Sequence, residues 1–158
     1  MSRLQLRIGP RRGWWLRLER GSWERINFLL WLPREEALAA WAERLRRRGY
    51  RPPHRLWHRT DPLDSDLELL RPPWRVGFPG PWRRHLRLWR ADRAAGAPWP
   101  REGVLWLGNV HRDWGLWDLR GWLGRPHPSG ATARALADLL RDLEGNLRGL
   151  VLLERPTR

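Results

Sequence analysis

Five histidines are spread along this chain, and three of them, His85, His111 and His127, fall near arginines and an aspartate in its second half. Imidazole changes charge near neutral pH, so such a group is the natural place to look for chemistry. Period-two alternation puts His85 and Arg87 on one face of residues 83–91, and Leu105, Leu107, Asn109 and His111 on one face of residues 103–112, with Asp113 continuing that face if the strand runs on. If the two segments pair as an antiparallel hairpin, these polar faces align. Imidazoles beside a carboxylate suit acid–base work or metal binding. Arg83, Arg84 and Arg87 suit a two-point grip on phosphate. The spacing matches no strong metal-ligand pattern, so neither a metal nor a cofactor is expected. The candidate ligand-binding set is Arg84, His85, Arg87, His111, Asp113 and His127, on what reads as an Arg/His strand face.

Other chemistry-bearing residues are less well supported. His54 and His58 have the spacing of a helical metal pair, but Pro52 and Pro53 precede them and no long helical pattern follows. Asp61, Asp64, Asp66 and Glu68 lack the glycine and final glutamate of a calcium loop. No glycine-rich phosphate loop, zinc-protease helix or nucleophile elbow is present, and no hydroxyl has the context of a nucleophile. The absence of cysteine removes disulfides, thiolate catalysis and cysteine-based zinc sites.

The elements that must position these residues read as follows. Residues 3–9 and 14–20 alternate around Gly9, Pro10 and Gly13, as an N-terminal hairpin does. Residues 25–32 are apolar on both faces from Phe28 onward, as in a central covered strand. A helix over about 34–48 follows, with Pro33 at its first position and Glu35 and Glu36 in its first turn. Leu38, Trp41 and Leu45 form its stripe, and Gly49 stops it. Prolines break up 50–83, leaving short extended pieces near 55–59 and 66–70, and 71–82 reads as a loop. Strands over 83–91 and 103–112 come next, with Gly108 marking a bulge or a close backbone approach. Residues 113–128 are irregular. A helix over 130–144, with Ser129 as candidate cap, and a strand over 147–154 complete the chain. This order predicts an α+β fold: a mostly antiparallel sheet with two helices packed on it, split βαβ-like, plus the N-terminal hairpin.

Several of these segments resemble the LssY C-terminal domain family. The run RINFLLWLPREEALAAWAERLRRRG over residues 25–49 is similar to the family's opening strand and helix. Asp66–Leu67–Glu68–Leu69, Arg84–His85–Leu86–Arg87–Leu88–Trp89 and Trp106–Leu107–Gly108 with Asp113 resemble its later motifs, and His127 with the helix 130–144 resembles its close. The resemblance covers residues 25–144 of a single 158-residue domain, with 1–24 as the added hairpin. It implies that His85, Arg87, His111, Asp113 and His127 form one site, in an envelope or phospholipid context, without naming a reaction. The acidic residues that follow the family's histidine are replaced by Pro128–Ser129–Gly130–Ala131, which counts against catalysis through them.

Composition frames these readings. The chain carries 31 basic side chains, all arginine, against 17 acidic ones, for a net charge of +14, and it holds 14 tryptophans. Such charge favours anionic partners, namely nucleic acid, an acidic lipid surface or a phosphorylated ligand. Lysine is absent and Arg, Trp, Pro, Gly, Leu and Ala are abundant, as G+C-rich coding would produce, so the excess alone does not choose among them. No apolar run approaches the roughly 20 residues of a membrane helix, and the N-terminus lacks a signal-peptide core. The expected location is the cytoplasm, with peripheral membrane association as the variant. The favoured reading is a binding domain for a phosphorylated or anionic ligand; the alternatives are a sequence-tolerant nucleic-acid binder and a phosphoester hydrolase.

Overall fold

The computed structural model describes residues 4–9, 13–18, 21, 23–52, 65–71, 83–113 and 131–157, with backbone only for Arg83, Asp113 and Ala131. Predictions that fall elsewhere, including His54, His58, the 55–59 piece, the 72–82 part of the loop, His127 and Ser129, lie outside the described residues.

Among the described residues, two sheets and two α-helices form three layers. The N-terminal hairpin of β1 (Leu4–Gly9) and β2 (Gly13–Arg17) is present, and it grows into a four-stranded sheet. β3 (Trp23–Ile26) pairs antiparallel with β2, and the short β7 (Ala94–Ala95) runs parallel to β1. The main sheet contains β4 (Phe28–Leu32), β5 (Leu67–Arg71), β6 (Arg83–Arg90), β8 (Val104–Asp113) and β9 (Leu150–Leu152), in the order β5-β6-β8-β4-β9. All its pairings are antiparallel. Helix α1 spans Ala37–Arg47 and helix α2 spans Ala131–Asp142. The α+β class stands. β8 and β9 each run antiparallel to β4, which lies between them, so β8–α2–β9 is a split βαβ unit. In the first half, β5 intervenes between α1 and β6 and makes the crossover longer.

Alternation sorts the main sheet's two faces. Phe28, Leu30, Leu86, Leu88, Trp106 and Val110 point to the helices and meet Trp41 and Leu45 of α1 and Leu136 and Leu139 of α2. Leu29, Trp89, Leu105 and Leu107 point the other way and meet Leu4, Leu6, Leu16 and Ile26 of the N-terminal sheet. Both faces are apolar because both are covered, as the pattern of 25–32 suggested.

Residues 25–32 do not form one strand, however. They break at Asn27, where the chain leaves the N-terminal sheet and enters the main one. Asn27 is fully buried. Its Nδ2 donates to the Val110 carbonyl at 2.7 Å, and its Oδ1 accepts from the Val110 amide at 3.0 Å. The side-chain amide thus pairs both the N–H and the carbonyl of Val110 at the corner.

α1 begins later than its sequence suggests. Pro33–Glu36 form a turn closed by Ala37 N–H to Arg34 O at 3.2 Å and Leu38 N–H to Glu35 O at 3.1 Å, which takes Glu35 and Glu36 out of the helix proper. Arg44, Arg46 and Arg47 occupy the last turn, and Gly49 takes the left-handed conformation (φ 95°) that ends it. Gly108 lies against Phe28, where a Cβ would enter the phenyl ring, so it marks a close approach within a regular ladder.

Candidate functional site

The hairpin of β6 and β8 sets the site's register. His85 stands opposite His111, and Arg87 opposite Asn109, all on the face turned away from the helices. The two imidazoles meet edge to face with centroids 4.8 Å apart. His85, Arg87, Asn109 and His111 are each at most 3% exposed. Along β6 this face passes from Trp89, inside the apolar layer between the sheets, through Arg87 to His85. It becomes polar toward one end.

Each imidazole has a defined partner. His85 Nε2 lies 2.6 Å from Glu68 Oε1, on the neighbouring β5. His111 Nδ1 lies 2.6 Å from Asn109 Oδ1, while Asn109 Nδ2 donates to the Arg25 carbonyl at 2.5 Å. With the amide committed as donor to Arg25, its oxygen must accept, so His111 Nδ1 carries the proton. With Glu68 ionised it can only accept, and His85 then donates through Nε2. The pair can therefore present imidazole groups of fixed orientation, held by a carboxylate on one side and an amide on the other.

Arg87 is less complete. Its guanidinium stacks over Trp89 at 4.8 Å, and its Nη1 faces Glu24 Oε1 at 3.5 Å. Nε and Nη2, by contrast, are buried without a hydrogen-bond partner among the described residues. These two N–H groups lie side by side on one edge of the guanidinium, the edge that meets both oxygens of a carboxylate or phosphate. Leaving a buried polar group unpaired costs about 1–3 kcal/mol, more when it is charged.

The expected site residues thus separate. His85, Arg87 and His111 share one face. Arg84 does not: its neighbours in the strand alternate, so it points to the helix side, where Nη1 meets Asp142 Oδ2 at 2.8 Å and Tyr50 lies under its guanidinium at 5.8 Å. Asp113 ends β8 opposite Arg83 in the ladder. Among the described residues no group of three or more His, Asp or Glu is arranged to hold a metal ion.

Sequence reasoning placed Asn109 on the face of His111 without counting it in the site, and it missed two further contributors: Glu68, which looked like part of an acidic run, and Glu24. Glu68 was recoverable, since it follows Leu67 in a strand whose leucines at 67 and 69 turn to the helices.

Arg84 belongs to a second network on the helix side. Arg71 Nη1 donates to Asp142 Oδ1 at 2.7 Å, and the Tyr50 hydroxyl donates to Asp142 Oδ2 at 2.8 Å. Burial, with the Asp142 carboxylate beside it, pushes the Tyr50 phenol far above its ordinary pKa, so it stays a neutral donor. Asp138, one turn earlier on α2, takes Arg112 on one oxygen and Arg141 on the other. Among the described residues no helix is long and apolar enough to cross a membrane. Compared with known proteins, the chain matches no family model, no curated protein and no solved structure.

Proposed function

We propose that this chain is a binding domain for a small ligand bearing a carboxylate or phosphate, gripped by the inward Arg/His face of the main sheet. The observation that carries this reading is the Nε/Nη2 edge of Arg87, a fixed cation at 3% exposure whose edge has no hydrogen-bond partner among the described residues. An oxyanion against that edge recovers two charge-assisted hydrogen bonds and neutralises a desolvated charge. Trp89 beneath the guanidinium holds its plane, and Glu24 holds its far side, so little ordering is needed on binding. His85 and His111, two residues along each strand, add polar groups on the same face. The resemblance of residues 25–144 to the LssY C-terminal domain family supports a phospholipid head group as the source of the anion, with the protein peripheral to the membrane.

The test is a titration followed through the Arg87 Nε–H resonance, assigned by its absence in Arg87→Met. Phenyl phosphate and benzoate are the probes. A saturable shift of that resonance is expected with at least one of them. A resonance that stays in place with both overturns the reading.

A further inference from the structure

A groove of about 610 Å³ runs beside α2, on the face of the main sheet opposite Arg87. Its lining is Arg112, Arg134, Ala137, Asp138, Arg141 and Thr157. That volume is within the usual range for small-molecule sites.

The electrostatics of this groove are set from below. Asp138 is nearly buried, with its side chain 8% exposed, and its two oxygens are taken by arginines. Arg112 commits Nε, at 3.1 Å, and Nη2 to Oδ2. Arg141 commits Nη2 to Oδ1. Deeper in, Arg84 and Arg71 both reach Asp142. Tyr50, held neutral, adds no charge. Arg71, Arg84, Arg112 and Arg141 share these two carboxylates and Arg134 stands beside them, so among the described residues arginines outnumber carboxylates around the groove. Asp138 is covered by its own partners and faces the groove as an anchor for the guanidinium groups, not as a bare anion.

The outer arginines keep donors to spare. Arg112 retains Nη1. Arg141, whose side chain is 77% exposed, has one nitrogen committed to Asp138. Arg134 is exposed and makes no ion pair among the described residues. Arg134, Asp138 and Arg141 sit three and four residues apart along α2, which puts them on one helix face. Holding Arg112 and Arg141 by a buried carboxylate removes part of the side-chain entropy that a surface arginine loses when it binds.

We infer that this groove is a second anion site, one that takes a phosphomonoester dianion between Arg112, Arg134 and Arg141. Three guanidinium groups with free donors suit the three terminal oxygens of a phosphate, and the excess charge suits a dianion over a single carboxylate. The site and the Arg87 edge lie on opposite faces of the sheet, so each reading stands without the other. The phosphate can belong to a soluble ester or to a phosphatidic acid head group, and the chemistry at the arginines is the same.

The experiment uses the full chain at physiological ionic strength. Phenyl phosphate affinity is read from the shifts of α2 amide resonances, which report this groove and not the Arg87 edge on the other face of the sheet. Binding to phosphatidylcholine vesicles with and without phosphatidic acid is measured in parallel, with phenyl phosphate as competitor. The expected result is that Arg134→Gln/Arg141→Gln weakens phenyl phosphate binding at least tenfold, with α2 resonances moving in the unsubstituted protein. The control Arg44→Gln/Arg46→Gln removes the same charge from the exposed end of α1 and should leave affinity within twofold. Equal weakening by the two pairs, or unmoved α2 resonances, overturns the site. If the source is lipid, phosphatidic acid vesicles bind and phenyl phosphate displaces them; if it is a soluble ester, vesicles add nothing. Vesicle binding that phenyl phosphate cannot displace also overturns it, since the attraction is then to bulk charge.

Discussion

Single side chains in this molecule do work that their types alone do not announce. Tyr50 is the only tyrosine in the chain, so its ionisation can be followed without overlap from another phenol. Its phenol is fully buried and bonded to Asp142. Above its ordinary pKa of 10.0, the unfolded chain loses a proton that the folded chain keeps. Stability therefore falls as pH rises through that value. In an alkaline titration, tyrosinate absorbance should emerge together with the loss of tertiary structure and not before it. Tyr50→Phe should flatten that part of the pH dependence and cost about 1 kcal/mol near neutrality for the lost hydrogen bond. Tyrosinate that forms while the fold is intact would contradict the assignment.

At the level of elements, close packing of the helix-side layer depends on Gly108. Gly108→Ala drives a methyl into the Phe28 ring and should cost about 1–3 kcal/mol by urea unfolding. Phe28→Leu in the same chain should recover part of that loss, and a strictly additive double variant would show that the two do not meet. Strong periodicity made most elements legible. The leucines of 86 and 88 against His85, Arg87 and Trp89 fixed the faces of β6, and Leu136, Leu139 and Leu143 fixed the inner side of α2. What was not legible depended on partners distant in sequence. Residues 25–32 read as one strand because apolar alternation passes through Asn27 without a break, and only the contact with Val110 reveals the corner. The N-terminal hairpin was visible, but its continuation through β3 was not. At the site, alternation already separated Arg84 from His85, yet proximity in sequence grouped them. The aspartates that claim Arg84 and Arg112 stand four residues apart beside the apolar stripe of α2, a signal that a search for catalytic groups passed over.

Over the whole molecule, the net charge of +14 is arranged as many short ion pairs with a surplus left over. Arg25 meets Glu154, Arg90 meets Glu35 and Asp92, and Arg93 meets Asp66, pairs that are partly exposed and individually weak. The surplus repels itself and works against the compact state. Sodium chloride screens that repulsion over about 10 Å at 0.1 M. The melting temperature at neutral pH should therefore rise between low and moderate sodium chloride. A fall would mean that the paired arginines outweigh the surplus. The corner at Asn27 bears on the same scale. A single main chain passes from one sheet into the other there, and Asn27 also bonds, through its own amide and carbonyl, to Gly108 of β8 and to Leu153 just past β9. One residue thus ties β8 and the end of β9 to the seam between the layers. Separating the two sheets would have to open that seam, so the corner couples the two described layers mechanically.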